Sequence, residues 1–418
     1  MDVVHACCCG LGVHKQSVVA SLRRAVTGGV RATTTRTFAT TTEALTELAT
    51  WLAAQGCTYA VMGSIGVSWK PVDNIVREQA PQVDVAVVNA AQVKALRGRK
   101  TDVQDAAWLA MLPQHDPLRP SFIPSREQRE LRDLTRTRTT LTDERSAVVN
   151  RVQKVREDAD IKLAGVATDV MGVSGRAILA ALLAGTADPA ALAALAVGKL
   201  RTKRAERERA LDGRMRAHHR VLVAMHLGHI DVLDEQIAEL DRRIAEATRP
   251  VAEVIARLDT IPGVDVRTAQ VLVAEVGVAV AQFPTATHLS AWAGMAPGNN
   301  LSAGKRRDGK TRKGSTWLRR ALVQSARAAA RTKKEGQTAF AEQDRRLVVR
   351  LGPKKAAVAV GRAILTTAYY LLAHETTYTE SARVRLADDR RRRLERRALA
   401  QLAALGDHVT LAPKEPAA

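Results

Sequence analysis

Nine apolar residues, Ile230, Leu233, Ile237, Leu240, Ile244, Ala247, Val251, Val254 and Leu258, recur at strictly alternating steps of three and four. That spacing is the period of a helix whose apolar seam must be covered along its length by another helix, as in a coiled coil. Pro250 falls inside the stripe and lacks a backbone donor, so a kink or break is predicted there. A second stripe, Leu134, Leu141, Val148 and Val155, is spaced by sevens and predicts another long helix over 126–158. The period is equally compatible with pairing inside one chain and with a homo-oligomer joined through the seam.

The first hundred residues follow a different rule. Segments 3–9, 17–22 and 30–38 read as strands, with Gly28-Gly29 turning the chain between the second and third. Segment 42–54 places Leu45, Leu48 and Leu52 on one helical face. A strand at 59–62, a helix near 72–79, a strand at 83–88 and a helix from about Val103 follow. Three strands and then alternating helix and strand is the order of a ribonuclease-H-like α/β layer. Between the two stripes, 178–224 reads as an Ala/Leu-rich helical insertion. Its basic run, 199–209, suits either a solvated helix face or a nucleic-acid contact.

Composition narrows the partner. Lys and Arg number 64 against 43 Asp and Glu, a net charge of +21 over 418 residues. Such an excess points to a polyanion, with nucleic acid the first choice, because cations that neutralise phosphates release condensed counterions. No run of roughly 18 uncharged apolar residues exists, and 178–194 is interrupted by Gly185, Asp188 and Pro189, so no membrane partner is expected. No secretory signal is read either. The four cysteines, Cys7, Cys8, Cys9 and Cys57, have neither disulfide-framework nor metal spacing and read as small buried hydrophobes. A cytoplasmic, nucleoid-associated protein is the expectation.

Three segments could carry chemistry or bind nucleic acid. In GRKTDVQDA, 98–106, Thr101 suits an N-cap, and Asp102 and Asp105 project from one helical face three residues apart. Two hard oxygen ligands can hold Mg²⁺, or both acids can simply complement the helix dipole. Arg99 and Lys100 stand just ahead of them as nucleic-acid contacts. The second segment is the electrostatic centre. From Ser302 to Arg331 there are ten Lys or Arg and one acid, Asp308, a window of +9. Ser302, set among Gly and Asn, is followed by Lys305, Arg306 and Arg307 and then by Lys310, Arg312 and Lys313. A serine attacking a phosphodiester needs cations around the developing charge, which this loop supplies. A phosphate-binding loop with an incidental serine has the same composition. Trp317, Leu318, Leu322 and Ala326 predict a helix behind it. The third segment, 390–397, holds six arginines and one glutamate and reads as solvated helix or a non-specific arm.

LDTIPGVDVRTAQVLVAEVG, 258–277, reads as helix, Pro-Gly turn and helix with Ala269, Leu272 and Val276 inward. It is like a helix-hairpin-helix, whose following helix aims its first amides at a phosphate. Asp265 stands where such turns commonly carry a second glycine, so a structural and a phosphate-binding hairpin are both open.

With these residues in view, the chain resembles the transposases of the insertion-sequence family called one-ten, in its eleven-eleven subgroup. The motifs run in order: GVHK at 12–15, GVSWKP at 66–71, VNAAQVK at 88–94, GRKTDVQDA at 98–106, LRDLTR at 131–136, DTIPGV at 259–264, HLSAWAGMAPGNN at 288–300, SAGKRR at 302–307 and TRKGSTWLRRAL at 311–322. The resemblance implies an RNase H-like domain of the Holliday-junction-resolvase (RuvC) type over 1–125. It further implies a coiled-coil region with its insertion over 126–257, a mostly helical transposase domain over 258–380 and a basic tail over 381–418. It implies DNA as substrate, a bridge RNA that selects target and donor by base pairing, Ser302 as a covalent nucleophile, and Mg²⁺ held by an acidic site to which Asp102 and Asp105 belong.

The chain departs from that pattern at two positions. Gly12 stands where the family motif has Asp, and Gly63 where it has Glu. A two-metal site needs anionic oxygens to neutralise and space its cations. With Asp102 and Asp105 alone, weak or absent Mg²⁺ binding is expected, and Asp2 and Asp73 are displaced too far along their elements to substitute. The alternative function is therefore a catalytically impaired DNA- or RNA-binding remnant.

Overall fold

The computed structural model describes residues 5–25, 31–63, 66–89, 101–115, 121–162, 169–197, 204–298, 300–302, 305–308, 310–311, 313–331 and 338–380, with 300–302 and 305–308 described by backbone. The expectations for Arg99, Lys100, Arg312, Asp2, the Gly28-Gly29 turn and the arginine-rich tail lie outside the described residues. The chain divides into two compact units, Met1–Pro124 and Ser125–Ala418.

In the first unit the strands are β1 (Cys7–Val13), β2 (Ser17–Ala25), β3 (Arg31–Ala39), β4 (Tyr59–Gly63) and β5 (Asp84–Val88), and the helices are α1 (Thr42–Ala54), α2 (Trp69–Gln79) and α3 (Asp102–His115). They form one mixed sheet in the order β3-β2-β1-β4-β5. The first three strands pair antiparallel; β4 and β5 add in parallel through α1 and α2, since parallel neighbours need a crossover. On one side, Leu45, Leu48 and Leu52 of α1 and Val72 and Val76 of α2 share a core with Cys9, Leu11 and Met62. On the other side, Leu109 of α3 packs with Val61, Ala86 and Val88. Contact there is backbone to backbone: a Cβ on Gly10 would lie 2.0 Å from the Ala106 carbonyl oxygen. All four cysteines are buried thiols with no disulfide among them. Burial pushes the Cys57 thiol up to about 12 and raises Cys9 well above its ordinary value, which keeps both inert.

The second unit begins with α4 (Arg126–Asp158), capped by Ser125, whose Oγ accepts from the Gln128 amide at 3.3 Å. It continues through α5 (Val173–Leu183), α6 (Pro189–Ala194) and α7 (Arg204–Leu211) to α8 (Ala217–Ala247). The two long helices pair antiparallel within the chain: Val148 and Val152 of α4 meet Val223, Leu227, Ile230 and Leu233 of α8, flanked by Arg145–Asp234 and Arg138–Asp241 ion pairs. The heptad seam is thus covered intramolecularly. Pro250 interrupts it as predicted, with a 3-10 turn Arg249–Val251 separating α8 from α9 (Ala252–Asp259). The insertion has its own core of Ile161, Ile178, Leu182, Leu192 and Leu211. Within its basic run, Arg207 departs from both readings: it is buried and donates to the Ala193 carbonyl at 3.2 Å.

The remaining elements are α10 (Val266–Val276), α11 (Ala286–Trp292), β6 (Asn300–Ser302), β7 (Lys305–Asp308), α12 (Thr316–Arg331), α13 (Ala339–Leu351) and α14 (Pro353–His374). Leu272, Leu289, Leu318, Leu322, Val360 and Ile364 share their core. By length and composition α14 could cross a membrane. Its Val360, Ile364, Leu365 and Ala368 instead face the interior of this helical unit.

Candidate active site

The acidic segment folds as its sequence suggests. Thr101 Oγ1 accepts from the Gln104 amide at 3.3 Å, and Asp102 and Asp105 occupy the exposed first turn of α3. Strands β1 and β4 run parallel with Leu11 opposite Met62, so the next residues on the two strands are Gly12 and Gly63. A Cβ at Gly12 would lie 3.5 Å from the Asp102 carbonyl oxygen and 3.7 Å from His14 Nε2, ordinary contact distances. Gly12 therefore faces the first turn of α3 with room for a Cβ. His14, which motif reasoning left without a role, places Nε2 3.5 Å from Asp102 Oδ1.

This donor set does not fit a two-cation site. Two carboxylates line the helix side, and the strand side presents the hydrogens of Gly12 and Gly63. Asp73 offers no substitute: it is buried, and its Oδ1 accepts from Arg77 Nε at 2.7 Å. Among the described residues a different group, Asp158, His218 and His219, has metal-like spacing. There, however, His219 Nδ1 accepts from the Arg216 amide at 3.2 Å and Nε2 sits 2.8 Å from Asp158 Oδ2. A cation on Nε2 would force a proton onto Nδ1, against the amide hydrogen. The arrangement fastens the start of α8 to the end of α4.

The serine segment, expected as a loop, is a hairpin. β6 and β7 pair antiparallel with Leu301 opposite Arg306 and Ser302 opposite Lys305, and Ala303 and Gly304 between them lie outside the described residues. The ladder reaches its base through a Pro297–Thr311 bridge and a Gly298 N–H to Lys310 carbonyl bond of 3.0 Å. Main-chain pairing, absent from a Gly/Asn-rich reading of the letters, satisfies these amides. Ser302 is the last paired residue before the turn. Lys310 and Lys313 are exposed just beyond the second strand.

What holds the hairpin's far end was not visible in any one motif. Arg319 of α12 donates to Thr311 Oγ1 at 2.8 Å and to the Gly294 carbonyl at 3.3 Å. Ser315 Oγ accepts from the Leu318 amide, capping α12, and donates to Glu275 Oε2 at 2.9 Å. Glu275, 1% exposed on α10, also takes the Arg136 fork at 2.8 and 3.0 Å. Arg132, one turn earlier on α4, donates to the Ala274 carbonyl at 2.8 Å and to the Glu275 carbonyl. Burial lowers the Arg132 pKa, with Glu275 opposing that shift.

Arg136, Glu275, Trp317 and Arg320 line a groove of about 200 Å³. Its four arginines face four acids, Arg136 with Glu275, Arg138 and Arg267 with Asp241 and the nearby Asp265, and Arg320 with Asp143, so it offers no excess charge to an anion. The helical hairpin resolves in the same direction. Asp265 Oδ1 accepts from the Thr268 amide at 2.8 Å, occupying a first-turn donor that a phosphate would use. Hydrogen bonds from Thr268 hold its pKa below the usual range although its partial burial, the largest contribution, opposes them. The turn itself is pressed against α12: Gly263, at φ +85°, would place a Cβ 2.3 Å from the Ser325 carbonyl oxygen.

Comparison with known proteins gives two family matches and one relative. Residues 9–159 match a model of the DEDD type in IS110 elements described as "Transposase". Residues 255–341 match one described as "Transposase IS116/IS110/IS902 family". A protein of Pseudomonas aeruginosa called "Probable family 20 transposase" is 26% identical over 284 residues, covering 68% of this chain and 75% of that protein. The first matched domain type suggests use of a divalent cation.

Proposed function

Because this chain belongs to the IS110 family of transposases, enzymes that cut and join DNA, we propose that it does so through Ser302. The serine oxygen attacks a DNA phosphorus, the bond to the leaving deoxyribose oxygen breaks, and that oxygen takes up a proton. The serine's own proton passes to solvent. A phosphoserine ester remains, and attack by a second strand end on that ester rejoins the backbone and frees the hydroxyl. Lys305, Arg306 and Arg307 offset the charge that accumulates on phosphorus oxygens, with Lys310, Arg312 and Lys313 holding the flanking phosphates.

The observation that carries this reading is the hairpin register. It sets Ser302 directly opposite Lys305, and positions paired across an antiparallel ladder have Cβ atoms roughly 4.5–5.5 Å apart, within reach of one phosphate. The sheet order β3-β2-β1-β4-β5, with two antiparallel and two parallel pairings, supports an RNase H-like assignment for the first unit. A bridge RNA that selects the DNAs is the family's expected guide, and the +21 net charge suits two nucleic-acid partners.

A second reading has a specific observation behind it. Among the described residues, Gly12 and Gly63 bring no side-chain oxygen to the strand side of the acidic site, which favours a protein that occupies element ends without turnover. An adduct assay separates the two. Purified protein incubated with element-end DNA and the flanking transcript, then resolved under denaturing conditions, should yield a DNA-linked band that Ser302→Ala abolishes. A band that survives Ser302→Ala removes this serine from the mechanism.

A further inference from the structure

The motifs LRDLTR at 131–136 and GSTW at 314–317 have no part in the chemistry above, yet the fold brings them together on one buried carboxylate. We infer that Glu275 is a positioning residue which, through Arg136 and Ser315, clamps the base of the Ser302 hairpin to the long helix α4. The reasoning rests on the proposed role of Ser302 for its catalytic consequence, but the clamp is defined by contacts alone.

Glu275 is buried and therefore needs all its lone pairs answered. Arg136 answers with both arms of its guanidinium, and Ser315 with its hydroxyl. A bidentate pair fixes distance and direction together, which a lysine in the same place would not. Ser315 is also the residue whose Oγ accepts the Leu318 amide, so the carboxylate holds the first turn of α12. Arg319, in that same turn, grips Thr311 and the Gly294 carbonyl, on the two sides of the hairpin's base. Gly314 lets the chain pass there, since a Cβ on it would lie 2.3 Å from the Gly294 nitrogen. The line of force runs from α4 through Arg136, Glu275, Ser315 and Arg319 to the two strands that carry Ser302 and Lys305. Arg132 secures the carboxylate's own backbone to α4. Two ends of a short ladder need such an anchor, because an isolated two-stranded hairpin is only marginally stable in water.

The test pairs Glu275→Gln with Arg136→Lys, each in the full chain. Glu275→Gln keeps shape and loses the charge; Arg136→Lys keeps charge and loses the fork, and serves if the first variant folds poorly. Native-state trypsin cleavage at Lys305–Lys313, relative to cleavage elsewhere, needs no catalysis and should rise roughly tenfold in either variant as the hairpin opens locally. The rate of DNA adduct formation should fall by roughly 10- to 100-fold while DNA affinity changes less than about threefold, since a misplacement near 1 Å costs that much in rate. Glu275→Asp should recover only part of the rate, because the shorter arm cannot reach both partners. Unchanged cleavage across the hairpin in both variants would overturn the clamp. Increased cleavage together with an adduct that persists in Ser302→Ala would leave the clamp standing and remove the nucleophile.

Discussion

The strand edge at Gly12 and the hairpin at Ser302 are two places proposed to meet a phosphodiester, and they differ in what they still offer one. At the sheet the scaffold is complete: β1 and β4 run parallel, α3 lies on them, and Asp102 and Asp105 hold the first turn. What differs from the resembled family motif is the strand side, where Gly12 and Gly63 stand in place of an expected Asp and Glu. At the hairpin the serine, its cations and the contacts at its base are all present. The difference teaches that residues which pack a scaffold and residues which could react on it make separate demands. Gly10 and Gly12 show this two residues apart on one strand. Gly10 is required by the helix pressed on it, while a Cβ at Gly12 would meet its neighbours only at ordinary contact distances.

The largest effect that could break this contrast is therefore a methyl group. Gly10→Ala should destabilise the first unit at or beyond the upper end of the roughly 1–3 kcal/mol typical of overpacking, whereas Gly12→Ala should be neutral to about 1 kcal/mol stabilising. Urea unfolding followed by circular dichroism measures both, and equal costs would refute the claim that Gly12 is free of packing. Next in size is a gain of function. Gly12→Asp with Gly63→Glu should give calorimetrically detectable Mn²⁺ or Mg²⁺ binding where the parent shows little, with the melting temperature kept; no gain would mean the strand edge is not a ligand position.

A smaller effect sharpens the hairpin side. Lys313→Ala should reduce the slope of log affinity against log salt by about one on duplex DNA, and an unchanged slope would mean Lys313 faces no phosphate. The smallest lies away from both sites. Asp143 is held below the ordinary carboxylate range by Arg320, so the pair stabilises above the unfolded pKa and loses its contribution as pH falls through the lowered value. Both side chains are substantially exposed, so Asp143→Asn should cost only about 0.2–1 kcal/mol at neutral pH.

Much of the scaffold was legible because it is periodic. The stripe from Ile230 and the sevenfold spacing of Leu134 to Val155 announced α4 and α8, and Pro250 announced the break after α8. α1 spans 42–54 as expected; α2 begins three residues before the expected 72, because the turn through Ser68 already starts it. What spacing could not carry was partnership. The pairing of α4 with α8 inside one chain depends on a connection whose geometry no heptad encodes. Glu275 and Arg136 are 139 residues apart, and neither letter announces a buried pair. The hairpin that carries Asp265 read equally as structural or phosphate-binding until the Thr268 amide was seen on its carboxylate. Gly12 and Gly63 stand out only against the resembled family's motifs, since a glycine in a strand otherwise reads as packing.

The most direct measurement is to locate the protein–DNA bond itself. In the Gly12→Asp, Gly63→Glu background, supplied with Mg²⁺, element-end DNA and the flanking transcript, the denatured adduct is digested and its nucleotide-bearing peptide sequenced by mass spectrometry. The phosphoryl group should sit on Ser302. A modified residue elsewhere, or DNA cleaved without any protein attached, would contradict the assignment.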